Sequence, residues 1–113
     1  MKTVTILKDN TAIANVWNAN RYFARLRGLL GWTLTEGGGL LLTPCGCIHT
    51  FGMRYAIDVV YFDRTGLVLR VDEALAPGKS WPAQRGAKRV LELPAGTAAK
   101  RGIRAGDRLE VAP

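Results

Sequence analysis

The chain has 113 residues, 48% of them hydrophobic and 22% charged, with a formal net charge of +7. That length suits one domain that buries roughly two-thirds of its unfolded surface without staples, and the balance of apolar to charged residues excludes a natively disordered chain. No apolar run approaches the roughly 20 residues of a membrane span, and Val4-Thr5-Ile6-Leu7 is too short for a signal-peptide core, so a cytoplasmic protein is expected.

Thr3 to Leu7 and Thr11 to Val16 alternate in polarity and flank the turn signal Lys8-Asp9-Asn10, which predicts an N-terminal hairpin. Arg21 to Leu30 places Tyr22, Phe23, Leu26, Leu29 and Leu30 at helical spacing between an Asn20 cap and Gly31, which predicts one helix. After the break at Gly37-Gly38-Gly39, Leu40 to Leu42 reads as a short strand closed by Pro44. Ile57 to Phe62 and Leu67 to Val71, joined by Asp63-Arg64-Thr65-Gly66, form the clearest hairpin in the chain. Ala76 to Ala87 reads as a loop around Trp81. Arg89 to Leu93 is a strand, Thr97 to Arg101 a single helical turn closed by Gly102, and Arg108 to Val111 a last strand. Six or more short strands and one substantial helix make a mainly-β protein: a small β-sandwich or partly closed barrel in one domain, with the helix packed across it.

The positive charge is uneven. Residues 79 to 113 hold eight lysines and arginines against three acids, a net +5. Such an excess is an electrostatic footprint for polyanions, but no nucleic-acid motif accompanies it. The expectation is a solubilising surface with at most weak, non-specific nucleic-acid binding, seen at low salt and gone at physiological salt.

No phosphate-binding loop, dinucleotide fingerprint, nucleophile elbow or zinc-protease motif is present. Potential chemistry concentrates between Pro44 and Met53. If this segment is extended, Cys45, Cys47 and His49 share a face, because side chains alternate with a period of two. Two thiols and an imidazole suit Zn²⁺ or copper, and Met53 could add a thioether for Cu(I), although the lack of a second Cys/His pair favours packed sulfurs. A disulfide between Cys45 and Cys47 is not expected, since their Cα atoms would stand about 6.7 Å apart in a strand. Thr50 and the glycine at 52 predict a break that sets His49 at the edge of a cleft, with Met53 turned back over it, so that His49, Met53 and Asp58 line one pocket wall. Asp58 is out of character in the apolar run Ile57-Asp58-Val59-Val60-Tyr61-Phe62. A carboxylate there must accept hydrogen bonds from backbone or arginine, or join His49 in a site. A Cys–His–Asp hydrolase lacks any oxyanion-hole context in the sequence.

Phe23-x-Arg25-x-x-Gly28-Leu29-Leu30-Gly31, Gly39-Leu40, Pro44-Cys45, Ile48-His49-Thr50-Phe51-Gly52-Met53-Arg54, Ile57-Asp58-Val59-Val60, Asp63-x-x-Gly66, Val90-Leu91-Glu92-Leu93-x-Ala95-Gly96 and Gly106-Asp107 occur in this order. Taken jointly, they resemble the uncharacterised prokaryotic family called domain of unknown function 192, from about Ala14 to Val111. The resemblance implies a small sandwich or barrel-like fold with no agreed activity. It marks Arg25, Gly28, Leu29, His49, Met53, Asp58, Glu92, Gly96 and Asp107 as signature positions. Ala56 stands where that family usually has proline, and Trp32 where a basic residue is common.

The reading that fits best is a non-enzymatic domain that binds a small ligand or a protein partner through Arg25, His49, Thr50, Met53 and Asp58. A soft-metal module built on Cys45, Cys47, His49 and Met53 is the alternative, and an unrecognised hydrolase the second. No cofactor is expected.

Overall fold

The computed structural model describes residues 2–19, 38–42, 48–49, 55–76, 80–81 and 84–113. In chain order these form β1 (Lys2–Lys8), β2 (Thr11–Ala19), β3 (Leu40–Leu42), β4 (Ile48–His49), β5 (Ile57–Phe62), β6 (Val68–Leu75), β7 (Ser80–Trp81), β8 (Arg89–Pro94), the short helix α1 (Thr97–Arg101) and β9 (Leu109–Ala112). The helix expected over residues 21–30 lies outside the described residues.

Seven strands make one mixed sheet in the order β6-β5-β8-β3-β2-β1-β9, and β4 pairs with β7 in a separate two-stranded ribbon. The pairings are antiparallel except β2 with β3. The N-terminal hairpin turns at Asp9 and Asn10, which take φ of 52° and 62°. Asp and Asn tolerate this left-handed geometry, and its twist suits a two-residue hairpin. Ser80–Trp81, read from the sequence as loop, is strand instead, because Ile48 and His49 supply pairing partners that proline- and glycine-rich surroundings give no hint of.

The sheet is apolar on both faces over its middle, and all six residues of β5 are buried. One face gathers Ile6, Val16, Leu41, Val60, Phe62 and Leu91 with Ala98 of α1, and the other gathers Leu40, Leu42, Ile57, Val59, Tyr61 and Val90. The alternation inside each strand thus feeds two cores rather than one core and a solvent face.

The sheet does not close into a full barrel, but its edge strands meet at a seam. Leu67 bridges to Arg108, Val68 N–H donates to Asp107 O at 2.8 Å, Gly106 N–H to Val68 O at 2.8 Å, and Leu109 N–H to Gly66 O at 2.8 Å. Two carboxylates build this seam. Asp63 Oδ1 accepts from Thr65 N–H at 2.8 Å, from the Thr65 hydroxyl at 2.6 Å and from Leu67 N–H at 3.1 Å. Asp107 Oδ2 accepts from Arg104 N–H at 2.7 Å and meets Lys8 Nζ at 3.0 Å.

These bonds hold both carboxyl groups below their ordinary value of 3.8, Asp63 chiefly through the Thr65 hydroxyl and Asp107 chiefly through Arg104 N–H. A depressed folded-state pKa adds stability that is fully present above the unfolded value and is lost as pH falls through the lower folded one. Denaturation midpoints are therefore expected to lose this contribution only below about pH 4, and an Asp63→Asn, Asp107→Asn double variant should start weaker at neutral pH and lose less on acidification. Parallel acid limbs for the two proteins would show that the seam carboxylates do not act this way.

Candidate functional site

The register of the sheet aligns polar side chains that are far apart in sequence. Trp17 pairs with Leu40, Leu40 with Glu92, Glu92 with Val59, and Val59 with Asp72, so these five residues form one rung on one face. The next rung on that face is Leu42, Val90, Tyr61 and Arg70. Leu40 and Val59 flank Glu92 in the first rung, and Leu42 and Val90 run up to Tyr61 in the second, so Glu92 and Tyr61 need a reason to be there.

Glu92 is 0% exposed between Leu40 and Val59. Burying a carboxyl among aliphatic side chains carries a large desolvation cost, which is seldom kept without structural or chemical return. Tyr61 is also fully buried, and its hydroxyl makes no hydrogen bond of good geometry among the described residues, although the Arg70 guanidinium and the Asp72 carboxylate lie close enough to act on it. Its phenol is pushed up to about 12, mainly by burial, so it stays a neutral donor at physiological pH. Arg70 lies over the Tyr61 ring, 4.1 Å from its centroid, while Nη2 meets Asp72 Oδ2 at 3.2 Å and Nη1 donates to Gln84 Oε1 at 3.1 Å. At the far end of the first rung Trp17 is 39% exposed, the one large hydrophobic side chain so exposed among the described residues.

Asp58 lies on the opposite face and is 0% exposed. Its Oδ1 accepts from Ala74 N–H and its Oδ2 from Ala98 N–H, both at 2.9 Å. Each bond answers a local need. Ala74 takes φ of 52° within an irregular stretch of the β5–β6 pairing, and α1 begins at Gly96, which has no side chain to cap it. Asp58 therefore caps α1 from 40 residues upstream and pins the kink in β6. The expected hydrogen bonds from backbone are present.

Of the other residues singled out from the sequence, Arg25, Cys45, Cys47, Thr50 and Met53 lie outside the described residues. For His49 the backbone alone is described, paired with Ser80. Among the described residues no three His, Cys, Asp or Glu side chains gather as a metal site would need, and no helix is long and apolar enough to cross a membrane. A surface cavity of about 350 Å³ lies instead by the seam, lined by Leu7, Asp9, Asn10, Thr65, Arg108 and their neighbours.

Sequence reading did not single out Tyr61, Arg70 and Asp72, and it marked Glu92 only through the family resemblance. The signal for Glu92 was there: a carboxylate between Leu91 and Leu93 is as anomalous as Asp58 between Ile57 and Val59.

The described strands make this a small mainly-β domain: a mixed, partly closed seven-stranded sheet with two buried carboxylates on opposite faces. The chain belongs to the family called domain of unknown function 192, described as an uncharacterized ACR, whose profile matches residues 4–111. It is similar in structure to a protein of unknown function from Novosphingobium aromaticivorans DSM 12444, with TM-score 0.75 and 20% identity, covering 96% of this chain and 83% of that one. It is also similar to a protein from Sinorhizobium meliloti 1021 described as a "putative transcription regulator", with TM-score 0.78 and 22% identity, covering 96% and 92%. At these identities the likeness speaks for the fold. No curated protein matches the chain.

Proposed function

We propose that this chain is a non-enzymatic binding domain whose small-ligand site is the sheet face that carries Glu92, Tyr61, Arg70 and Asp72. The observation that supports it is the Tyr61 hydroxyl, fully buried with no hydrogen bond of good geometry among the described residues, one rung away from a fully buried carboxyl. A buried polar atom of this kind is costly unless something completes it. A ligand that offers an acceptor to the phenol and an apolar body to Val59, Leu42 and Val90 meets that need, and the aliphatic floor with few convergent polar groups is the usual make-up of such sites. The segment from His49 to Met53, with Arg25, is the sequence's own candidate for the rest of the site. The regulatory description of the Sinorhizobium protein is compatible with a domain that senses a small molecule.

Native mass spectrometry and elemental analysis of the purified protein test this together. The expected result is a stoichiometric organic adduct, or a metabolite that raises Tm, whose effect falls at least tenfold in Tyr61→Phe while the variant stays folded. A protein that carries no adduct and is stabilised by no polar metabolite overturns the reading. A stoichiometric metal lost in Cys45→Ser, Cys47→Ser replaces it with the soft-metal module.

A further inference from the structure

The turn Asp63-Arg64-Thr65-Gly66 is gripped from two sides by arginines. Arg89 Nη2 donates to Arg64 O at 3.3 Å and to Asp63 O at 3.5 Å, with its guanidinium 4.7 Å from the Phe62 ring centroid. Arg108 Nη1 donates to the Thr65 hydroxyl at 2.9 Å and to Thr65 O at 3.3 Å. Both guanidinium groups are thus oriented by neutral oxygens of three consecutive residues, which keeps them within roughly 12 Å of each other.

Neither has a carboxylate at ion-pair distance among the described residues, and the same holds for exposed Arg64 and Lys88 beside them. The acid nearest the turn, Asp63, spends one oxygen on the three donors of its own loop. Four cations from three separate segments therefore gather at the turn without an ion pair of their own. The seam's other carboxylate, Asp107, is held by Arg104 N–H and Lys8, and Asp9 and Glu110 border the cavity on the Arg108 side.

A guanidinium held in place by carbonyls keeps most of its five N–H donors for a ligand and loses little further freedom on binding, the arrangement that favours phosphate oxygens over an isolated, mobile lysine. One phosphate cannot use four cations spread over a turn and a strand start. A chain of phosphates can.

We infer that the seam formed by Arg64, Lys88, Arg89 and Arg108 is a docking surface for the phosphate backbone of nucleic acid, read without sequence preference. It is separate from the sheet-face site, and its contacts are electrostatic, so its affinity is set by salt. With about four phosphates neutralised, binding should weaken on the order of 100-fold between 50 and 200 mM salt. This places the weak binding expected from charge alone at one defined surface.

Fluorescence anisotropy with a labelled mixed-sequence 20-base-pair duplex tests the inference, with phosphatidylglycerol vesicles as the second probe. Wild-type protein should bind the duplex at 50 mM salt, with a log Kd against log salt slope that falls by about 1.8 in Arg89→Gln, Arg108→Gln. Because those two side chains also hold the turn, Arg64→Gln, Lys88→Gln, which removes none of the turn's hydrogen bonds, should lower the slope by a similar amount with an unchanged denaturation midpoint. No duplex binding at 50 mM salt, a slope unchanged in both variants, or vesicle binding that depends on these residues while duplex binding does not, overturns the inference.

Discussion

Replacing Asp58 by alanine is expected to lower the free energy of unfolding by about 2–4 kcal/mol, the sum for one buried amide donor, Ala98 N–H, and one part-buried donor, Ala74 N–H, that each lose a side-chain acceptor. The Ala98 N–H lies in the first turn of α1, where the backbone supplies no partner and Gly96 has no side chain to offer. The Ala74 N–H belongs to a residue at positive φ, a conformation that costs alanine free energy and persists because Asp58 holds it. Asp58→Asn keeps the shape and one acceptor oxygen but turns an NH₂ group toward the other amide, so about half the loss is expected. Guanidinium denaturation measures both. An Asp58→Ala midpoint equal to wild type would mean that the two hydrogen bonds add nothing to the folded state, and hydrogen exchange at Ala74 and Ala98 would locate the loss if it occurs.

The second large effect is expected at Gly66, where alanine should cost about 3 kcal/mol or more. Two penalties combine there. The residue sits at φ 95°, and a Cβ at this position would come 2.0 Å from Leu109 O, a backbone atom that cannot yield without moving β9. The β5–β6 turn must then lift away and give up the Leu109 N–H to Gly66 O bond. Gly106 is the internal control, with φ 94° and open space where its Cβ would go. Gly106→Ala should cost only the conformational part, about 1–2 kcal/mol. Equal losses at the two positions would show that the approach of Gly66 to Leu109 does not hold the seam.

Local chemistry was legible wherever it alone decided the structure. Ile57 to Phe62 and Leu40 to Leu42 are strands with the bounds that their apolar runs give, and the Thr97 to Arg101 turn ends at Gly102, as a left-handed glycine dictates. The bounds failed where a distant partner decides. β6 runs on to Leu75 past Val71 because Asp58 pins its kink, and β7 exists because His49 and Ile48 face it. The parallel neighbours β2 and β3 carry no local mark of their pairing. For the site, the rule that a lone acid in an apolar run is meaningful reached Asp58, which is buried and accepts two backbone amides, and passed over Glu92. Tyr61 and Arg70 were invisible for a different reason: each is ordinary in its own strand, and only the register brings them together.

The pairing of Lys8 with Leu109 bears on how the chain reaches its native state. The first hairpin forms early from neighbours in sequence, but the outer edge of β1 stays bare until the last strand arrives, and the seam cannot close before that strand is in place. Non-local pairings of this kind slow folding to the millisecond-to-second range. During that wait an exposed strand edge can recruit a like edge from another molecule. Lys8 stands at one end of the waiting edge, and charge repulsion between two such edges guards it while it is unpaired.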